Sequence, residues 1–230
     1  MNTTSLILSL VGVGSFAYTI QWYMLELNIP TEVSRSWSGY AGPWKYLTFL
    51  NLWLQCIYFT ISLLNSLIGT EGRTRASSGY LQKLRDYLFA SLAFPIGVFV
   101  ALMFWSLYFI DRRLIFPAKY DAYISEGMNH MLHTIVLPLQ LIELVAVFHV
   151  YPRRRIGMAL TSLGCAAYLT WVCIIAWQGG FWVYPVFKVL PPVQRFTFMF
   201  GCSVGGGVLY IMGESLNNLI WKGAKVQKRS

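Results

Sequence analysis

Residues 87–110 read YLFASLAFPIGVFVALMFWSLYFI, an unbroken apolar run without a charged side chain. A helix needs about 20 such residues to cross a bilayer, so this stretch is long enough to span one. Comparable runs recur at about residues 5–25, 46–67, 126–148, 156–178 and 194–216. In hydrocarbon every backbone N–H and C=O must be bonded within the structure, so the pattern predicts an all-α, polytopic membrane protein with six transmembrane helices in one bundle. Composition agrees: the 230 residues are 56% hydrophobic and only 12% charged, with a mean hydropathy of +0.53. Loops are short, so residues 1–230 are expected to form a single domain with a short basic cytosolic tail at 221–230. Any chemistry then belongs in the bundle or at its rim.

The formal charge of +9 does not point to nucleic acid, because the basic residues flank apolar runs and build no amphipathic basic array. Membrane topology accounts for them. The second and fourth loops, the latter with Arg153-Arg154-Arg155, and the C-terminus carry more Lys and Arg than the opposite face. The positive-inside rule therefore favours both termini in the cytosol, of the endoplasmic reticulum or the plasma membrane. Cys56, Cys165, Cys173 and Cys202 all fall within spans and read as packing residues, not a disulfide framework. The first span lacks a basic leader and reads as a retained helix. Asn2-Thr3-Thr4 is a glycosylation sequon that a cytosolic terminus would leave unused.

Within the spans, polar residues carry the information. Thr48, Asn51, Gln55 and Ser62 fall within a narrow arc at about 100° per residue, so the second span has one polar stripe facing the bundle or a cavity. Trp44-Lys45-Tyr46 ahead of it reads as an interfacial anchor. Loop 2, from Glu71 to Asp86, reads as a topological signal. Pro95 leaves the carbonyl of Ser91 without its usual donor and predicts a kink. In the fourth span Asn129, His130, His133 and Gln140 share an arc, Pro138 frees the carbonyl of Thr134, and Glu143 lies deeper.

An ionisable group inside a span is a functional-site candidate because its desolvation needs a compensating partner. A neutral imidazole can also serve simply as a hydrogen bond between helices. The second and fourth spans enter the membrane from the same face, and Thr48 and His133 lie at similar depths. A hydroxyl within reach of an imidazole is the minimum arrangement for a base-activated nucleophile. Against that, an intramembrane threonine usually bonds back to its own helix. Asn51, Asn129 and His130 are candidates for oxyanion donors or for orienting the base, and the aromatic rim of Trp182 and Tyr184 lies on the same face. Two rival patterns are weaker. Gly201-Cys202-Ser203-Val204-Gly205 matches G-x-S-x-G, but a nucleophile elbow needs a strand, a turn and a helix. Gly201 and Gly205 read instead as a small-xxx-small helix contact. His130 and His133 lack the cysteines or carboxylates that would complete a metal site, and no metal or cofactor is expected.

At these residues the chain resembles the androgen-induced membrane protein family, intramembrane threonine hydrolases of fatty acid esters of hydroxy fatty acids. The resemblance runs from about Trp44 to Trp221. It rests on five motifs in order: Trp44-Lys45-Tyr46-Leu47-Thr48, Leu92-Ala93-Phe94-Pro95, Asn129-His130-Met131-Leu132-His133-Thr134, Trp182-Val183-Tyr184-Pro185 and Gly213-Glu214-Ser215-Leu216-Asn217. It implies that Thr48 is a nucleophile paired with His133, and that the substrate is a branched fatty acid ester drawn from among the membrane lipids. Two other classes stay open on the residues alone: a small-molecule or proton-coupled transporter, motivated by Glu143, Glu214 and the histidines, and a non-catalytic lipid-binding scaffold.

Overall fold

The computed structural model describes residues 3–34, 37 and 39–222. Asn2 of the sequon and all but the first two residues of the basic tail lie outside them. The described residues are helical throughout, without strands. In chain order the helices are α1 (Thr3–Leu25), α2 (Leu47–Ile68), α3 (Tyr80–Leu88), α4 (Phe94–Asp111), α5 (Glu126–His133), α6 (Val136–Ala146), α7 (Arg154–Gly179), α8 (Val186–Val189) and α9 (Pro192–Ile220). A π-helical turn at Phe89–Ala93 joins α3 to α4. Five helices are long and apolar enough to cross a membrane: α1, α2, the continuous α3–α4 unit, α7 and α9. This is a multi-pass membrane protein.

The expected fourth span at 126–148 is not one helix. It breaks at Thr134–Ile135 into α5 and α6. Pro138 has no N–H to offer the Thr134 carbonyl, which instead accepts from Leu137 N in a tighter turn at 3.0 Å. The second proline behaves differently. The π turn precedes Pro95, and the Ser91 carbonyl that Pro95 leaves free accepts the Thr161 hydroxyl of α7 at 2.7 Å. A helix defect is thereby turned into an interhelical bond.

The packing follows the polar stripe of α2. Asn51, Gln55 and Ser62 are all buried. Ser62 accepts from Ser9 of α1 at 3.1 Å, and Gln55 donates to Ala93 O at 2.8 Å. Gly12 lets α1 lie against Phe59, whose ring a Cβ there would meet at 2.4 Å. One hydrophobic core joins α1, α2, α4, α5 and α6. A smaller one joins α7, α8 and the end of α4 through Val172, Ile175, Val186 and Leu107. Gly201 and Gly205 make no helix contact, since a Cβ at either meets nothing within 4 Å. The close glycines of α9 are Gly206, against Cys165, and Gly213, against Phe94 and Tyr151.

At the end of the bundle away from Thr48, Arg85 and Asp86 are fully buried instead of serving as loop charges. Asp86 accepts from Arg85, from His149 Nδ1 at 3.0 Å and from Val150 N at 3.0 Å. Glu143 accepts the hydroxyls of Tyr58 and Ser62. Glu214 pairs with Arg154 at 2.7 Å. Both intramembrane carboxylates that motivate a transporter are thus engaged within the fold.

Candidate active site

The site is built where α2 begins. The Gly39–Pro43 turn runs through Ala41 and Gly42, both at positive φ, into a 3-10 helix at Gly42–Lys45. Tyr46 is extended, at φ −91° and ψ 127°, and α2 starts at Leu47. Lys45 is not an interfacial anchor. It is fully buried and donates to Trp37 O and Gly42 O at 2.9 and 2.6 Å, and its burial pulls the ammonium down to about 8. Trp44 does sit on the exposed surface.

Thr48 is consequently the second residue of α2, not one well inside it. That position changes its chemistry. Thr19, Thr60, Thr161 and Thr197 each donate to the carbonyl four residues back, as helical threonines usually do. Four residues before Thr48 is Trp44, which lies beyond the extended Tyr46, and its carbonyl accepts Trp171 Nε1 at 3.0 Å. Among the described residues the Thr48 hydroxyl has no hydrogen-bond partner.

The helix start supplies donors as well. The first N–H groups of a helix lack partners within it and carry the positive end of its dipole. Leu47 N donates to the hydroxyls of Tyr168 and Tyr184, at 3.0 and 2.9 Å. Tyr168 donates in turn to Lys45 O at 3.1 Å, and the two hydroxyls lie 2.8 Å apart. The N–H groups of Thr48 and Phe49 have no partner among the described residues, while Leu50 N begins the regular ladder on Tyr46 O. Burial raises Tyr184 above the ordinary phenol range, so it stays a neutral hydroxyl. Such a bond contributes about 1 kcal/mol and fixes the entry of α2.

His133, the last residue of α5, is buried with its ring flat on Phe104, centroids 3.5 Å apart and planes 5° apart. Its Nδ1 lies 2.9 Å from Asn129 Oδ1 and 3.1 Å from Asn129 O. The backbone carbonyl can only accept, so Nδ1 carries the proton and Nε2 is left with its lone pair. Asn129 is therefore the residue that orients the imidazole.

Thr48 and His133 line one cavity of about 370 Å³, together with Trp182 and Tyr184. No hydrogen bond joins the pair directly among the described residues. Asn51 and His130 are not among the lining residues. Asn51 is buried and accepts from Gln55 at 2.9 Å, while His130 is exposed and bonds Thr134 at 2.9 Å beside Trp105. Ser203 lines the cavity but sits within the regular helix α9, without the sharp turn of a nucleophile elbow. Sequence reasoning passed over Tyr168, an unremarkable aromatic in an apolar run. It also missed the N–H groups of Thr48 and Phe49, because the extended Tyr46 that makes Leu47 the first residue of α2 has no local signal.

Comparison with known proteins extends the likeness over α1, ahead of the motifs that begin at Trp44. The chain is 39% identical over 188 residues to the androgen-induced gene 1 protein of Homo sapiens, covering 79% of each chain. It is 38% identical over 187 residues to the androgen-dependent TFPI-regulating protein of Mesocricetus auratus, covering 81% of this chain and 80% of that one. A membrane protein of Schizosaccharomyces pombe is 22% identical over 209 residues, covering 90% and 87%. No solved structure matches the chain. The model of the FAR-17a/AIG1-like proteins matches residues 4–218, nearly the whole described bundle. The chain belongs to the FAR-17a/AIG1-like protein family.

Proposed function

We propose that this protein is an intramembrane lipid hydrolase that cleaves fatty acid esters of hydroxy fatty acids, with Thr48 as nucleophile and His133 as its base. The observation that carries the reading is Thr48 itself, its hydroxyl unbonded at the start of α2 among the described residues and the residue lining the same cavity as His133. In the first step His133 Nε2 takes the hydroxyl proton as Oγ1 attacks the ester carbonyl. The oxygen that becomes negative is received by the N–H groups of Thr48 and Phe49, donors aligned with the helix dipole. The carbon–oxygen bond to the alcohol then breaks, and the leaving oxygen takes the proton from Nε2. Water, activated by His133 in the same way, releases the acid from the acyl-threonine. Asn129 holds the imidazole in the tautomer this requires. A substrate whose ester branches from the middle of an acyl chain partitions into hydrocarbon, which suits a cavity lined mainly by apolar and aromatic side chains.

The test is to treat the purified protein with a fluorophosphonate probe and map the labelled peptide. The expected result is an adduct on Thr48 that disappears in His133→Ala. An adduct on Ser203, or labelling that survives His133→Ala, would sink the assignment.

α5 and α6 together run beside α2, with His133 at the Thr48 end and Glu143 bonded to Ser62 further along, so with the five long spans they make six crossings. From the excess of Lys and Arg on their side, we assign both termini to the cytosol, in the endoplasmic reticulum or plasma membrane. The mouth of the cavity then opens on the opposite leaflet. A C-terminal tag should be cleaved by protease added outside sealed microsomes, and a protected tag would reverse the orientation.

A further inference from the structure

The cavity is longer than the Thr48/His133 pair needs. Its α4 wall runs from Leu107 to Pro95. The ring of Phe104, stacked on His133, marks the level of the pair on that wall. From Phe104 to Pro95 is nine residues, about 13 Å of helix at 1.5 Å per residue. The lining changes below that level. From α2 only Leu47 and Thr48 reach the cavity, α5 stops at His133, and α6 contributes nothing. The deep part is enclosed by α4, α7 and α9 alone, where Gly164, Cys165, Cys202, Ser203 and Gly206 are all small. Thr161 closes the floor, its hydroxyl tied to Ser91 O one helical turn before Pro95. Gly206 keeps the floor open, since a Cβ there would lie 2.8 Å from Cys165 Sγ and push that side-chain end aside. At the other end, the exposed Lys119 and Lys188 place the mouth at the polar interface.

Resting on the hydrolase reading above, we infer that this deep limb is the seat of the acyl half of the substrate and that the Thr161/Gly206 floor sets its preferred chain length. Three directions leave the carbonyl carbon at Thr48. Its oxygen turns to the N–H groups that begin α2, and the alcohol oxygen turns to His133 on α5. The remaining direction faces α7, whose Tyr168 is bonded beside Thr48 through Leu47 N, and the deep limb opens there. A long unbranched chain fills it, burying one methylene after another. The branched alcohol half stays at the wider, aromatic and lysine-bearing mouth.

The experiment compares hexanoyl and decanoyl esters of one secondary alcohol, using the full chain in detergent micelles. The wild type is expected to favour decanoyl, whose extended chain matches the length of the limb. Cys202→Phe places a ring in the limb from α9, four residues before the Gly206 floor. It should lower kcat/KM for decanoyl by about 30-fold, the equivalent of two to three methylenes displaced, and leave hexanoyl within about threefold. Gly206→Leu should act in the same direction, since Cys165 Sγ is a side-chain end that can rotate aside. Parallel losses for both esters, or a preference that follows the alcohol chain, would overturn the assignment. If the wild type hydrolyses neither ester, the Thr48 mechanism fails, and decanoic acid with a terminal diazirine decides the seat separately. Crosslinks to Thr161, Gly164, Cys165, Cys202, Ser203 or Gly206 support it, whereas crosslinks confined to the outward-facing Phe196, Phe200 and Val204 refute it.

Discussion

Thr48→Ala is expected to lower the hydrolysis of a branched fatty acid ester by on the order of 10⁶-fold, the scale seen when a nucleophile is removed from a base-activated site. The effect should fall on kcat, with little change in KM, because the methyl group and backbone of residue 48 still line the cavity while the bond-forming atom is gone. Thr48→Ser sharpens the test. It keeps the hydroxyl at the second position of α2, with the Trp44 carbonyl still engaged by Trp171, and should retain most of the rate. The residual activity of Thr48→Ala reports what the α2 N–H groups and substrate positioning supply without a nucleophile. Purified Thr48→Ala protein that cleaves the ester at the wild-type rate would end the threonine mechanism. The cavity would then have to act through another group.

Asp86→Ala is expected to cost about 3–5 kcal/mol of stability, the range for breaking a buried ion pair from one side. The side chains of Arg85 and Asp86 are 0% and 1% exposed. Removing the carboxylate leaves the guanidinium to Glu71, which is 52% exposed, and to Phe148 O at 3.3 Å. It also strips His149 Nδ1 and Val150 N of their acceptor, and unpaired buried donors add their own desolvation cost. The segment after α6 is held largely by these bonds and by Asn217, which donates to His149 O at 3.0 Å. Loss of Asp86 therefore loosens α6, α3 and α9 together. Arg154→Ala is the control. Its partner is Glu214, but Arg154 is 61% exposed, and such pairs contribute only about 0–1 kcal/mol. Thermal unfolding in detergent should separate the two variants clearly. Equal midpoints would mean that the Asp86 cluster does not support the fold.

The candidate site was legible in proportion to how local its signals are. The stripe of Thr48, Asn51, Gln55 and Ser62 is visible as a 3.6-residue period, and the last three are buried. The shared face and depth of Thr48 and His133 followed from counting spans, and both residues line one cavity. What Thr48 can do depends on a smaller detail, the extended conformation of Tyr46. That residue places the threonine at the helix start and frees both its hydroxyl and its N–H. Arg85 and Asp86 looked like loop charges because Phe148, which accepts from Arg85, and His149 and Val150, which donate to Asp86, lie more than sixty residues away along the chain.

The sequence by itself determined the all-α membrane class, because hydrocarbon leaves unbonded backbone no alternative and the apolar runs are long enough to cross. It also determined that the carbonyls of Ser91 and Thr134 lose their helical donors, because proline has no N–H. Only the tertiary structure decided how each loss was met. Ser91 found the Thr161 hydroxyl on another helix and α3–α4 stayed continuous, whereas Thr134 turned to its own chain and the 126–148 run broke in two. The tertiary structure also decided that Tyr168 and Tyr184 cap α2 while Thr48 faces the cavity. Those outcomes depend on which side chains arrive from distant segments, and a local pattern carries no record of that arrival.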